Sequence, residues 1–131
     1  MSIPDYQSIM LPLLKYAGDE EEHSLREAIE ALAENFNLTD EEKRQLLPSG
    51  QQATFDNRVG WARTYLKKAR LLKYTRRGHF RITERGKSVL EKNPSRIDRN
   101  YLKKFSEFVD FITTDPEEET KASMLSVEEE K

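Results

Sequence analysis

Between Arg70 and Thr83 the apolar residues stop recurring every three or four positions and begin to alternate. Leu72, Tyr74, Phe80 and Ile82 alternate with Lys73, His79 and Arg81 around Arg76-Arg77-Gly78. That is the pattern of a short β-hairpin, with glycine supplying the backbone freedom of a tight turn. A lone hairpin set among helical stretches narrows the fold more than any other feature of the chain.

The stretches before the hairpin are helical. Pro4 fits a first helical position, and Tyr6, Ile9, Met10, Leu13, Leu14 and Ala17 follow at helical spacing, with a kink expected at Pro12. Residues 18–23 form a polar break. Ser24 with Glu27 reads as a capping box opening a second helix, whose apolar stripe is Leu25, Ala28, Ile29, Leu32, Ala33 and Phe36. Thr39 with Glu42 repeats the device for a short helix through Leu46 and Leu47, closed by Pro48-Ser49-Gly50. A longer helix is expected over residues 55–70, with Phe55, Val59, Ala62, Leu66 and Ala69 on its inner face. Asp56, Asn57, Gly60, Thr64, Lys67 and Lys68 fall on its outer arc, and Trp61 and Tyr65 read as core.

After the hairpin, Thr83 caps a short helix that stops near Asn93-Pro94, and an amphipathic stretch runs over residues 98–112. Three helices, a hairpin and trailing helices give the order of a winged helix-turn-helix. The expected fold is mainly α, with a short β-hairpin wing and a C-terminal helical extension. The expected division is a winged-helix domain over residues 1–93, the extension over 94–114, and an acidic disordered linker over 115–131.

Composition sets the limits. The chain has 131 residues, 36% of them apolar and 35% charged, which suits helices with narrow apolar stripes. The absence of Cys excludes disulfides and Cys-based zinc sites, and points to the cytoplasm. No apolar run approaches the ~20 residues of a membrane span, so no membrane partner is expected.

Charge is segregated. Residues 51–104 carry 16 Lys/Arg against 4 Asp/Glu, a net of +12, while the segments on either side each carry −7. Local cationic excess of this kind displaces counterions from nucleic-acid phosphates. A solvated basic face without a ligand would have the same composition. The basic block nevertheless coincides with the helix and hairpin that serve as reader and wing in this fold.

Candidate contacts follow from that coincidence. A reading helix contacts bases from its N-terminal half, which offers Gln51, Gln52, Thr54, Asn57, Gly60 and Thr64. Gln and Asn can bond adenine bidentately. Arg63, Lys67 and Lys68 suit phosphates, and Arg76, Arg77, His79 and Arg81 point outward from the wing. Arg58, at the edge of the apolar face, is expected to form a salt bridge within the domain to an acid of the second helix.

No catalytic or metal site is expected. His23 and His79 have no metal-ligand spacing. The Glu-x-Lys triplets at Glu41/Lys43, Glu119/Lys121 and Glu129/Lys131 lie in a capped helix and the tail, where no strand supports them. No cofactor or small-molecule substrate is expected either.

From Ile3 to about Phe111 the sequence resembles the N-terminal domain of Mrr-type restriction endonucleases, a modification-dependent, type IV family. The resemblance rests on Ile3-Pro-Asp-Tyr-Gln7, Leu11-Pro-Leu-Leu14, Leu47-Pro-Ser-Gly-Gln51 and, above all, Phe55-Asp-Asn-Arg-Val-Gly-Trp-Ala-Arg-Thr-Tyr-Leu-Lys-Lys-Ala69. Arg77-Gly-His-Phe-Arg-Ile-Thr-Glu-Arg-Gly86 and Asn93-Pro-Ser-Arg-Ile-Asp98 extend it. It implies a winged-helix module that targets double-stranded DNA ahead of a metal-dependent nuclease domain, in an enzyme that restricts methylated DNA. The nuclease motif of the family has no counterpart here, so the chain is expected not to be catalytic itself: either a domain excised from such an enzyme, the favoured reading, or a freestanding relative that binds without cutting. The alternatives are a small winged-helix transcriptional regulator, or an interaction module with residues 98–112 as a dimerising helix, which leaves a homodimer open.

Overall fold

The computed structural model describes residues 3–114; the segment 115–131, expected to be a disordered linker, lies outside them. Helix α1 (Tyr6–Tyr16) begins at Asp5, whose carboxylate accepts from the Ser8 amide at 2.7 Å. Pro4 therefore precedes the cap instead of opening the helix, because the carboxylate satisfies the first-turn amides that a proline would merely omit. The helix continues through Pro12, with Ile9, Met10, Leu13 and Leu14 buried on both sides of it.

A 3₁₀ turn (Ala17–Asp19) leads into strand β1 (His23–Ser24), which stands where the sequence suggested only a polar break. Two residues are too few to show alternation, so the strand left no periodic signal. Both capping boxes are formed. Ser24 opens α2 (Leu25–Asn35), and Thr39 opens α3 (Asp40–Arg44), each exchanging hydrogen bonds with the Glu three residues on.

Helix α3 stops short of Leu46 and Leu47, which were expected within it. Residues 45–54 instead close on themselves. Leu46 bridges Ala53, Leu47 N donates to Gln52 O at 2.9 Å, and Thr54 N donates to Gln45 O at 2.8 Å. Gly50, at φ +72°, lies in the turn that these bonds close.

Helix α4 (Thr54–Lys68) buries Phe55, Val59, Ala62, Tyr65 and Leu66, and α1 is its most extensive packing partner. Leu71 N reaches back to Leu66 O at 2.9 Å, turning the chain through Arg70 into β2 (Leu72–Arg76) and β3 (His79–Ile82). The three strands form one antiparallel sheet in the order β1-β3-β2, with Leu72, Phe80 and Ile82 facing the core. This is a winged helix-turn-helix, mainly helical, with β2 and β3 as the wing.

Helix α5 (Glu84–Glu91) follows the Thr83 cap. The continuous helix expected over residues 98–112 is broken into α6 (Arg99–Leu102) and α7 (Ser106–Thr114). The turn between them lets Leu102 and Phe108 both reach full burial in the core that α1 and α4 also fill.

Gly86 shows why the start of α5 has its sequence. Thr83 Oγ1 accepts from Gly86 N at 3.0 Å and donates to Arg70 O at 2.6 Å. A Cβ at Gly86 would lie 2.3 Å from Leu71 O and 2.7 Å from Ile82 Cγ1. Gly86→Ala should therefore force backbone apart, destabilising the fold by about 1–3 kcal/mol. A urea midpoint equal to or above that of the parent would contradict this packing.

Candidate nucleic-acid interface

Helix α4 and the wing carry the basic block, and four anchors fix where they sit. Arg58 donates to Ile3 O and Pro4 O at 3.0 and 3.3 Å, tying the first half of α4 to the chain before α1. The ion pair expected of Arg58 is made instead by its neighbour Asp56, with Arg26 of α2 at 3.2 Å. Two steps along a helix turn a side chain by about 200°, and Asp56 is the one that faces α2. At the other end, Arg85 donates to Ala69 O at 3.0 Å and to Glu107 at 2.9 Å, fastening the end of α4 to α5 and α7. The wing is pinned by Arg76, whose Nε lies 3.0 Å from Glu22.

The expected outer arc of α4 divides in two. Gln51 is exposed, while Gln52 and Asn57 are half-buried at the start of the helix and bonded to each other, Asn57 Nδ2 to Gln52 Oε1, at 3.1 Å. Lys67 and Lys68 are half-buried near its end. Thr54, Gly60, Arg63 and Thr64 are buried, which corrects their placement on a solvent face. The wheel put Gly60 and Thr64 outward because it weighs only α4's own pattern, and neighbouring chain can cover a polar arc that it reads as open; Thr54 and Arg63 were expected to be accessible as DNA contacts. Arg63 is only 2% exposed and holds its guanidinium 4.8 Å from the centre of the Tyr74 ring.

On the wing, Arg76, Arg77 and Arg81 are exposed as expected. His79 is half-buried, and its Nδ1 lies 2.9 Å from Arg77 O. A carbonyl can only accept, so Nδ1 carries the proton and the ring serves to brace the turn.

Two cations were missed in the sequence. Arg70 and Lys73 join Lys67, Tyr74 and Arg85 around an open cleft of about 800 Å³ between the end of α4, β2 and α5. Lys67 Nζ lies 5.2 Å from the Tyr74 ring, and Lys68 Nζ lies 5.0 Å from that of Phe111. Burial, with Lys67 and Arg70 nearby, holds Lys68 below the usual lysine range. Arg70 sits at φ +67°, a left-handed backbone that costs a side-chain-bearing residue about 1 kcal/mol. The turn out of α4 would suit glycine better, and the position carries an exposed cation instead. Its place in the basic block was the available signal.

A family model, the Mrr N-terminal domain, matches residues 6–92. The chain belongs to the Mrr N-terminal domain family. A relative, the type IV methyl-directed restriction enzyme EcoKMrr of Escherichia coli (strain K12), is 32% identical over 95 residues. The match covers 72% of this chain and 31% of that enzyme, so the chain corresponds to less than a third of it. No solved structure matches the chain. Membership places the resemblance read from Phe55–Ala69 on firm ground. Among the described residues, no helix is long and apolar enough to cross a membrane, and no group of three His, Asp or Glu side chains is set to hold a metal ion.

The anchors make the site sensitive to acid. Hydrogen bonds from the Thr75 hydroxyl and Arg76 hold Glu22 below the usual carboxylate range, and Arg85 does the same for Glu107. The Ser8 amide lowers Asp5 and the Ser24 amide lowers Glu27. Groups depressed in the folded state contribute stability above their ordinary values, and lose it as pH falls through the folded ones. The urea midpoint should hold steady from neutrality to about pH 5 and fall below about pH 4. A midpoint that rises on acidification would contradict these anchors.

Proposed function

We propose that this chain binds double-stranded DNA through the start of α4, the 45–54 hairpin and the wing. It would act as the targeting domain of a cytoplasmic enzyme that restricts modified, methylated DNA. The observation that carries the reading is the coincidence of the basic block with the reader helix and wing of a winged helix. Membership of the Mrr N-terminal domain family supports the restriction role, as does similarity to an enzyme described as methyl-directed. In this reading the residues here supply affinity and placement, and need no cofactor. Strand cleavage is assigned to sequence beyond them, since the relative is about three times as long as the matched region.

The division of labour follows from exposure. Lys67, Lys68, Arg70, Lys73, Arg77 and Arg81 are accessible cations suited to phosphates, which fix register without reading sequence. The pair made by Arg76 and Glu22 is exposed and weak enough for phosphate to compete. Lys67, Arg70 and Lys73 line the cleft at the end of α4 together with Glu84 and Glu107, and Arg85 pairs with Glu107. Acidic α2 and α3 would face away from the duplex.

With about five phosphate contacts, log affinity should fall against log salt with a slope of about −4 to −5. Arg70→Gly gives a sharper test, since it should raise stability by about 1 kcal/mol by relieving the left-handed backbone. The same change should weaken binding to all duplexes alike and shallow the salt slope by about one unit. Fluorescence anisotropy and urea titration of the one variant read both effects. A flat salt dependence would contradict DNA binding, and Arg70→Gly with unchanged binding would remove the cleft from the interface.

A further inference from the structure

We propose that Gln52 and Asn57 act as one unit, a bridged amide pair that reads an adenine in the major groove. The inference rests on the DNA-binding reading above and names the base class that this part of the site would recognise. It starts from a single hydrogen bond, Asn57 Nδ2 to Gln52 Oε1 at 3.1 Å. Each amide has one carbonyl oxygen and one NH₂ group. Once they bond to each other, the pair keeps one whole carbonyl and one whole NH₂ for a partner, with a second N–H left on the bonded NH₂. Reversing both amides exchanges which residue supplies which, and the outward set remains one carbonyl acceptor beside N–H donors.

Adenine is the base that matches this set at neighbouring atoms. Its major-groove edge presents the N7 acceptor beside an N6 hydrogen. Guanine presents two acceptors, N7 and O6, which N–H groups alone could meet, leaving the pair's carbonyl without a donor. Cytosine offers a donor alone, and thymine an acceptor beside a methyl group. The pair therefore favours adenine, whose edge uses both its carbonyl and its NH₂.

The surroundings hold both side chains in place before any ligand arrives. Gln52 lies on the closed 45–54 segment, where its carbonyl accepts from Leu47 N at 2.9 Å and the following Ala53 bridges Leu46. Asn57 lies in the first turns of α4, with its amide bonded to Ala53 O at 3.0 Å. Its neighbours Asp56 and Arg58 are fastened to α2 and to the chain before α1, which fixes the rotation of the helix. Both side chains are half-buried, so they retain access to solvent while losing little freedom on binding. The N-terminal half of a reading helix is also where base contacts are made. Gly60 and Thr64 are buried, and Asp56 and Arg58 are engaged by Arg26 and by the Ile3 and Pro4 carbonyls, so this pair and exposed Gln51 are the accessible amides at that end.

The bond also predicts how chemical changes on the base are felt. Replacing N7 by carbon removes the acceptor. A methyl group on N6, held outward when the base is paired, takes the place of the hydrogen offered to the amide carbonyl. Either change on the contacted adenine should weaken binding about tenfold, within the range of a lost bidentate contact, so the methyl mark of the targeting role proposed above would lie on another base.

The test uses the whole chain and a duplex pool with a randomised core. The pool selected by the parent protein should contain an adenine whose replacement by 7-deazaadenine or N6-methyladenine costs about tenfold in affinity. Gln52→Ala, Asn57→Ala and the double variant should each lose about the same amount. They should then be indifferent to both base replacements, because breaking either half dissolves the pair. Urea midpoints of the variants check that they fold, and binding to an unselected duplex checks that phosphate contacts remain. Salt-sensitive binding with no penalty from 7-deazaadenine, or single-variant losses that simply add, would overturn the amide-pair assignment alone. Absence of binding to every duplex would overturn the DNA-binding reading and this assignment with it.

Discussion

The position of α4 depends on the ring of Tyr65. It is 2% exposed and makes edge-on contacts with Tyr6 at 5.1 Å, Trp61 at 5.5 Å and Phe108 at 5.6 Å. Those three partners come from α1, from α4 itself and from α7, so one side chain ties the reader helix to both ends of the described chain. Such contacts contribute about 0.5–1.5 kcal/mol each beyond the area they bury. A chain only 36% apolar has few ways to hold a helix in place. Concentrating aromatic rings at the α1–α4–α7 junction is the way used here, and the Arg58, Arg85 and Arg76 bonds then set finer alignment.

Arginine does structural work inside a block that reads at first as ligand-binding charge. Arg58 serves backbone carbonyls, Arg85 a helix end and a carboxylate, and Arg63 an aromatic face. A net of +12 over residues 51–104 thus overstates the charge free to meet phosphate. The remainder lies on the end of α4 and the wing, while acidic residues dominate α2 and α3. Field asymmetry of this kind steers encounter and alignment more than it adds affinity.

Much of the fold was legible where local chemistry decides it. Both capping boxes, the Thr83 cap and the hairpin around Gly78 declare themselves in adjacent residues, and each formed as read. What was not legible depends on partners distant in sequence. Strand β1 exists only because Phe80 and His79 offer it a ladder. The 45–54 hairpin replaced the end of α3 because its backbone bonds close across the turn at Gly50. The candidate site divides along the same line. Arg77 and Arg81 are exposed, as the hairpin pattern implied, whereas the burial of Thr54, Gly60, Arg63 and Thr64 required the tertiary structure. Arg70 went unread because its significance lies in a backbone angle.

The central claim is that one face, made by the start of α4, the cleft at its end and the wing, meets the duplex. Amide chemical-shift mapping during titration with a short duplex tests this directly. The account predicts the largest changes at Gln51, Gln52 and Asn57, at Lys67 to Lys73, and at Arg77 to Arg81, with little change along α2 and α3. Changes concentrated on Glu30 to Lys43, with the wing and the start of α4 unmoved, would contradict it.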